Sequence, residues 1–341
     1  MIKEAIHRLL NRENLSAEIT RSVMDEIMSG NATNAQIASL ITAMRMKGET
    51  IDEITACAVT MRKYGTKLKH DGDVLDIVGT GGDQTYTFNI STVSSFVISA
   101  AGVPVAKHGN RSVSSKCGSA DVLEALGVKI DIPVSKSERI LKEIGLCFMF
   151  AACYHSSMRY AAPVRKEMGA RTIFNILGPL ASPADANYQL LGVYDEYLVE
   201  PLARVLLNLG LKKAMVVHGQ DGLDEITLTA SSVVCEVNNG NLNSFFLDPH
   251  QFGFEYCSPG DLAGGGPQEN AEIARSVLSG ERGPKRDIVL LNSAVCLYMF
   301  YDSFTLRECV RLAAEMIDSG KAMQQLDRFV RLTNTKDGRG G

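Results

Sequence analysis

The chain has 341 residues, 45% apolar and 22% charged, with 35 Lys and Arg against 39 Asp and Glu for a formal charge of -4. At about 150 residues per domain this predicts two domains, or one large domain with a small companion, and the ordinary composition excludes disordered and fibrous classes. A slightly acidic chain is not built to coat nucleic acid or an anionic membrane, so any phosphate it binds must be held locally. Its 30 glycines against 10 prolines show no period, which excludes collagen and asks for another reason for them.

The cysteines at 57, 117, 147, 153, 235, 257, 296 and 309 form no CxxC pair and sit mostly in apolar surroundings. Reduced, buried thiols are expected rather than structural zinc. The first residues carry charge at Lys3, Glu4, Arg8, Arg12 and Glu13 and lack the apolar stretch of a secretory signal. No run reaches the roughly 18 apolar residues of a membrane span, so a cytoplasmic location with no membrane partner is expected.

In chain order, the first 65 or so residues read as helices. Ser16 caps a helix ending near Gly30, Thr33 with Gln36 forms a capping box before Ile37, Leu40, Ile41 and Met44, and Thr50 with Glu53 repeats the device before a helix broken by Gly65. From Val74 the pattern alternates between short β-branched runs and helical periodicity, as in a mostly parallel sheet covered by helices. Strands are predicted at 74–78, 103–106, 146–150, 189–193, 214–218 and 232–237. Helices are predicted at 92–101, 120–126, 136–144, 198–209, 271–278, 288–301 and 305–318. A helical segment from Arg159 interrupts the alternation. The fold class is therefore α/β: a small helical domain, residues 1–68 with an inserted helical segment near 159–185, and a larger α/β domain, residues 69–341, with a mostly parallel central sheet. Only the Gly-Arg-Gly-Gly tail reads as disordered, and Gly264-Gly265-Gly266 reads as a flexible turn.

Three clusters follow predicted strands, where ligands bind in open α/β sheets. In Gly79-Thr80-Gly81-Gly82-Asp83 the glycines allow a sharp turn and close ligand approach, and Asn89-Ile90-Ser91-Thr92 opens a helix whose free N–H groups suit a phosphate. The spacing fits neither a Walker loop nor a dinucleotide fingerprint. The loop from Lys107 to Asp121 combines Lys107, Arg111 and Lys116 with four serines and two glycines, able to wrap an anion. His218 to Glu225 ends in adjacent carboxylates, Asp224 and Glu225. Magnesium takes one or two carboxylates plus substrate phosphates, and the pair beside two phosphate loops suits a magnesium-pyrophosphate site. Taken alone, the Asp-Glu pair reads as a solvated turn and His218 as a satisfied strand-end histidine.

Gly79 to Asp83 with Asn89 to Thr92, Lys107 to Ser115 with Gly118-Ser-Ala-Asp121, Arg171-Thr-Ile-Phe-Asn175 with Leu177-Gly-Pro-Leu180, and His218 to Glu225 together resemble the anthranilate phosphoribosyltransferases, over nearly the whole chain. The resemblance implies transfer of a phosphoribosyl group from phosphoribosyl pyrophosphate to the amine of anthranilate, on the way to tryptophan. It implies that Gly79, Gly82, Asp83, Thr87, Asn89, Ile90, Ser91, Thr92, Lys107, His108, Gly109, Asn110, Arg111, Ser112, Val113, Ser114, Ser115 and Ser119 hold the phosphoribosyl pyrophosphate. Gly79, Asn110 and Arg165 would hold anthranilate, with Arg165 facing its carboxylate, and Ser91, Asp224 and Glu225 would hold magnesium. A homodimer assembled through the helical domain is implied as well.

An aromatic amine is neutral at pH 7, so positioning and leaving-group stabilisation should dominate and no indispensable general base is assigned. His108 is a candidate to accept the amine proton or to line the pocket. The chain departs from the family at Gln84, Cys117, Ala152, Ser156 and Ala181-Ser182, where Gly, Ser, Pro, Pro and Thr-Asn are common. Two rivals stand beside this reading. A pyrimidine nucleoside phosphorylase-like enzyme should carry a Lys-Met-Ser-Gly-Arg type loop in place of Lys107-His-Gly-Asn-Arg111. A non-catalytic nucleic-acid-binding relative should be basic.

Overall fold

The computed structural model describes residues 1–83, 85–112 and 115–335. Gln84, the phosphate candidates Val113 and Ser114, and the Gly-Arg-Gly-Gly tail lie outside the described residues. Four helices come first: α1 (Ile2–Leu10), α2 (Ala17–Met28), α3 (Asn34–Lys47) and α4 (Ile51–Tyr64). Ser16 caps α2 through Ile19 N–H, and both expected capping boxes close at α3 and α4. Glu53 of the second box is fully buried. Its carboxylate accepts Leu15 N–H and Thr50 N–H, each at 2.8 Å, and pairs with Lys47 Nζ at 2.9 Å, which ties the turn before α2 to the turn before α4. Helix α1 was not anticipated, although Ile2, Ala5 and Leu9 form its buried face.

The rest alternates strands and helices. In order these are β1 (Leu75–Gly79), α5 (Ile90–Ala100), β2 (Val105–Gly109), α6 (Ser119–Ala125), α7 (Val134–Ile144), β3 (Leu146–Phe150), α8 (Ala151–Tyr154), α9 (Ala162–Met168) and α10 (Phe174–Leu180). Then come β4 (Tyr188–Gly192), α11 (Val199–Asn208), β5 (Lys213–Gly219), β6 (Ser232–Asn238), β7 (Asn241–Leu247), α12 (Pro267–Leu278), α13 (Pro284–Phe300), α14 (Leu306–Asp318) and α15 (Lys321–Asn334). The sheet order is β3-β2-β1-β4-β5-β6-β7, with the β5–β6 and β6–β7 pairs antiparallel and the other four pairs parallel. The chain winds outward from β1 to β3, then returns to β4 on the other flank of β1. That reversal opens a crevice at the carboxyl ends of β1 and β4, where this kind of sheet binds ligands.

The structure moves one strand. Residues 103–106 were expected to form it with Lys107 to Gly109 in the following loop, but β2 runs Val105–Gly109 in register with Leu146–Phe150. Polar residues at a strand end read as loop, yet both Lys107 and His108 are buried and find partners inside the protein. Strand β7 escaped because only Leu247 of its seven residues is buried. Helix α15 buries Ala322, Leu326 and Phe329 along one face.

Two large apolar clusters flank the sheet. One packs α5, α13, α14 and α15 on it, while the other runs from α1–α4 through Val164, Phe174, Leu177 and Leu180 to Leu191, Val216 and α11. The N-terminal helices thus share a core with one sheet face, with α9 and α10 as the joint. Leu177 is wholly buried there. Leu177→Ala should cost about 2–5 kcal/mol of stability, read as a lower urea midpoint with unchanged slope. A loss under about 1 kcal/mol would show that the joint is loosely packed.

Candidate active site

Gly79 and Gly192 are register partners at the carboxyl ends of β1 and β4. The loop after β5 turns back across both. A Cβ on Gly192 would lie 1.6 Å from the Asp224 carbonyl oxygen, and one on Gly79 would lie 2.5 Å from Asp224 Oδ2. Only glycine leaves room for that crossing. Asp224 Oδ2 then accepts Gly81 N–H at 2.6 Å, and Glu225 Oε1 accepts Ser91 N–H at 3.1 Å at the start of α5. Two helpers shape the loop. Asn292, fully buried on α13, accepts Ile226 N–H at 3.1 Å and donates to Ile226 C=O at 2.8 Å, while Asp221 accepts Leu223 N–H and the Thr227 and Thr229 hydroxyls.

The site is short of positive charge. Burial, reinforced by Asp83 and Glu225, raises the Asp224 carboxyl well above the carboxylate range. Burial lifts Glu225 to about 7 against the pull of Lys107. Lys107 reaches in from β2, donating to Ile77 C=O at 2.5 Å and Ser91 Oγ at 3.2 Å. Beneath it the buried Asp76 accepts His108 N–H at 3.0 Å and is raised to about 7 by burial. Two desolvated carboxylates beside one lysine favour a divalent cation, and Ser91 adds a hydroxyl. Among the described residues no three His, Cys, Asp or Glu form a closed cage. An open carboxylate pair is the donor set magnesium uses when substrate phosphates and water complete its shell, so the residues fit that ion.

The first phosphate loop is held on both sides. Gly82 C=O accepts the Arg171 guanidinium, which also lies over the Tyr194 ring, and Asp83 accepts the Thr85 hydroxyl. Ile90 anchors the loop in the core, while the buried Thr92 hydroxyl has no partner among the described residues. The Gly264–Gly266 run, expected as a flexible turn, is instead a backbone clamp. Gly264 donates to Tyr86 C=O at 3.0 Å, Phe88 donates to Leu262 C=O at 3.2 Å, and Thr87 bridges to Ala263 between them.

In the second loop Asn110 C=O accepts Ala120 N–H and the Ser119 hydroxyl, Ser112 N–H donates to Asp121, and the Ser112 and Ser115 hydroxyls meet at 2.9 Å. Gly109 closes β2 against Ser119. Arg111 was expected to supply positive charge to the phosphates, and its guanidinium is paired with Asp121 at 2.9 Å and Glu124 at 2.6 Å. Acids three residues apart in the following helix claim it.

On the other flank the His108 and His155 rings stand 5.1 Å apart. They bond the carbonyls of Gly178 and Ala181 at the end of α10, whose Pro179 and Leu180 carbonyls accept Gln189 and Arg62. Burial lowers His108 to about 3 and His155 to about 4, so both rings are neutral, and both Nε2 atoms lack a partner among the described residues. Arg165 is half-buried over the Phe174 ring, its charge disfavoured by burial and no acid within ion-pair distance among the described residues. His218 binds the Val193 carbonyl at 2.7 Å, a satisfied strand-end histidine.

Sequence reasoning missed Gly192 and Asn292 as parts of this architecture, and quoted Asp76 and Arg171 without a role. Gly192 follows Leu190 and Leu191 at the end of a strand, and that was the available signal. Gly192→Ala should lower kcat/KM by at least about 100-fold, since displacing Asp224 forfeits roughly 2.7 kcal/mol or more. Near-normal turnover would show that the crossing is not needed.

Residues 3–65 match the helical bundle domain model of the glycosyl transferase family and residues 71–323 match its a/b domain model. The anthranilate phosphoribosyltransferase of Ruminiclostridium cellulolyticum is 65% identical over 98% of both chains. Among solved structures, that of the anthranilate phosphoribosyltransferase from Thermus thermophilus superposes with a TM-score of 0.92 at 41% identity, covering 97% of this chain and 99% of that one. The Saccharomyces cerevisiae enzyme in complex with PRPP and Mg gives 0.90 at 28% identity, covering 97% of each. Matched over nearly its whole length by these relatives and solved structures, the chain belongs to the anthranilate phosphoribosyltransferase family.

Proposed function

We propose that the chain transfers the phosphoribosyl group of 5-phosphoribosyl 1-pyrophosphate to the amine of anthranilate, releasing pyrophosphate, with magnesium held by Ser91, Asp224 and Glu225. The observation that carries this is the half-buried Asp224–Glu225 pair laid between two phosphate-suited loops at the sheet's reversal point. When bound, magnesium supplies charge neutralisation to the departing pyrophosphate. The chain supplies the rest. The first turn of α5 and the Gly79–Asp83 loop offer N–H groups to the phosphates, and Lys107 adds a cation from below.

The ribose carbon passes through an oxocarbenium-like state, as in other glycosyl transfers. The attacking amine is neutral and needs orientation rather than activation. Arg165, a half-buried guanidinium with no acid within ion-pair distance among the described residues, provides that by pairing with the anthranilate carboxylate. His108 and His155 are neutral with unpaired Nε2 atoms, suited to accept a hydrogen bond from the amine as its proton leaves. A nucleoside phosphorylase would have no use for two adjacent, half-buried carboxylates as metal ligands.

The same reading extends to a homodimer through the helical bundle, where Leu10, Met46 and Val59 are exposed. A monomeric mass in sedimentation at micromolar concentration would reject it. Mixing the protein with phosphoribosyl pyrophosphate, magnesium and anthranilate should extinguish anthranilate fluorescence at a rate set by enzyme. Folded protein without magnesium-dependent turnover would sink the assignment. For Arg165→Ala, the anthranilate KM should rise about 10- to 100-fold, the range of a lost charge-assisted bond, with little change for the other substrate. Equal losses for both substrates would contradict the carboxylate role.

A further inference from the structure

The Gly264–Gly266 clamp lies far in sequence from the phosphate loops yet meets the first of them at backbone distance. A Cβ on Gly264 would sit 2.6 Å from Phe88 N and 2.7 Å from Asn270 Oδ1. Asn270, in the first turn of α12 and 2% exposed, joins clamp to loop. Its Oδ1 accepts Gly265 N–H at 2.7 Å and its Nδ2 donates to Asn89 Oδ1 at 3.0 Å, while Asn89 Nδ2 donates to Cys117 C=O at 3.1 Å.

This relay has one polarity. It starts at a backbone N–H, which can only donate, and ends at a carbonyl, which can only accept, so both amides are fixed in orientation. Asn89 makes no side-chain cap to α5, the helix it precedes. Its amide instead bridges the first phosphate loop to the second, one residue before Gly118 opens α6.

We propose that Asn270 is a positioning residue for phosphoribosyl pyrophosphate: acting through Asn89, it locks the two phosphate loops in register. This rests on the reading of those loops as the phosphate site. Without Asn270 the half-buried Asn89 amide loses the donor that orients it, and a polar group left unmet away from bulk water is costly. The loops then face the substrate unaligned, so the loss falls on the phosphorylated substrate and spares the aromatic one.

The test is a double-mutant cycle read in substrate affinities. Asn270→Leu is neutral and of similar size, so it adds no charge near the phosphates. It should raise the phosphoribosyl pyrophosphate KM about tenfold, the scale of one lost buried hydrogen bond, and leave the anthranilate KM within about twofold. Asn89→Ala should raise the same KM, and the double variant should be no worse than Asn89→Ala alone, because one pathway has been cut twice. Additive effects, or parallel losses for both substrates with a lowered melting temperature, would make Asn270 a merely structural residue and overturn the proposal. If Asn89→Ala itself leaves the phosphoribosyl pyrophosphate KM unchanged, the phosphate-site reading fails and the proposal falls with it. Should Asn270→Leu not fold, Asn270→Ser takes its place in the same cycle.

Discussion

The site depends on a steric permission: the Asp224 carbonyl and carboxylate rest against Gly192 and Gly79, paired glycines at the ends of two parallel strands. A side chain at either position would lift the loop after β5 and carry Asp224 and Glu225 away from Ser91. The sheet order gives this crossing its consequence, because β1 and β4 are the strands between which the winding reverses. Asn292 below the loop and Asp221 within it hold the crossing in one shape.

Charge is the second theme. An enzyme for a polyanionic substrate would be expected to line its site with cations, yet Arg111 is paired with acids and Lys107 is buried against Asp76 and Glu225. What remains is a set of N–H donors and a pair of carboxylates uncomfortable without a partner. Under the proposed function, that arrangement would make phosphate binding conditional on a divalent ion and let a chain of net charge -4 bind an anion without a basic surface. Across the crevice the logic differs: two buried histidines are neutral, and Arg165 over the Phe174 ring has no acid within ion-pair distance among the described residues.

Much of this was legible in the sequence because the signals were local. Capping boxes at Thr33 and Thr50, glycine clusters past strand ends and the adjacent Asp224 and Glu225 each announce themselves within a few residues. What stayed hidden depends on distant partners. Lys107 and His108 looked like loop residues because burial of a lysine is visible only once Ile77 and Ser91 are placed beneath it. The pairing of Arg111 stayed hidden because Glu124, 13 residues on, folds back to meet it. Gly264 looked idle because its reason is the backbone of Phe88, and Asn270 and Asn292 are ordinary asparagines until the loops they hold are known.

The central claim is that Asp224 and Glu225, held over the glycine pair, make phosphoribosyl pyrophosphate binding depend on magnesium. Titration calorimetry of phosphoribosyl pyrophosphate into the protein with and without magnesium measures that linkage directly. The account predicts that magnesium strengthens binding to the natural protein and has no such effect on a folded Asp224→Asn, Glu225→Gln double variant. The same magnesium dependence in both proteins would contradict it.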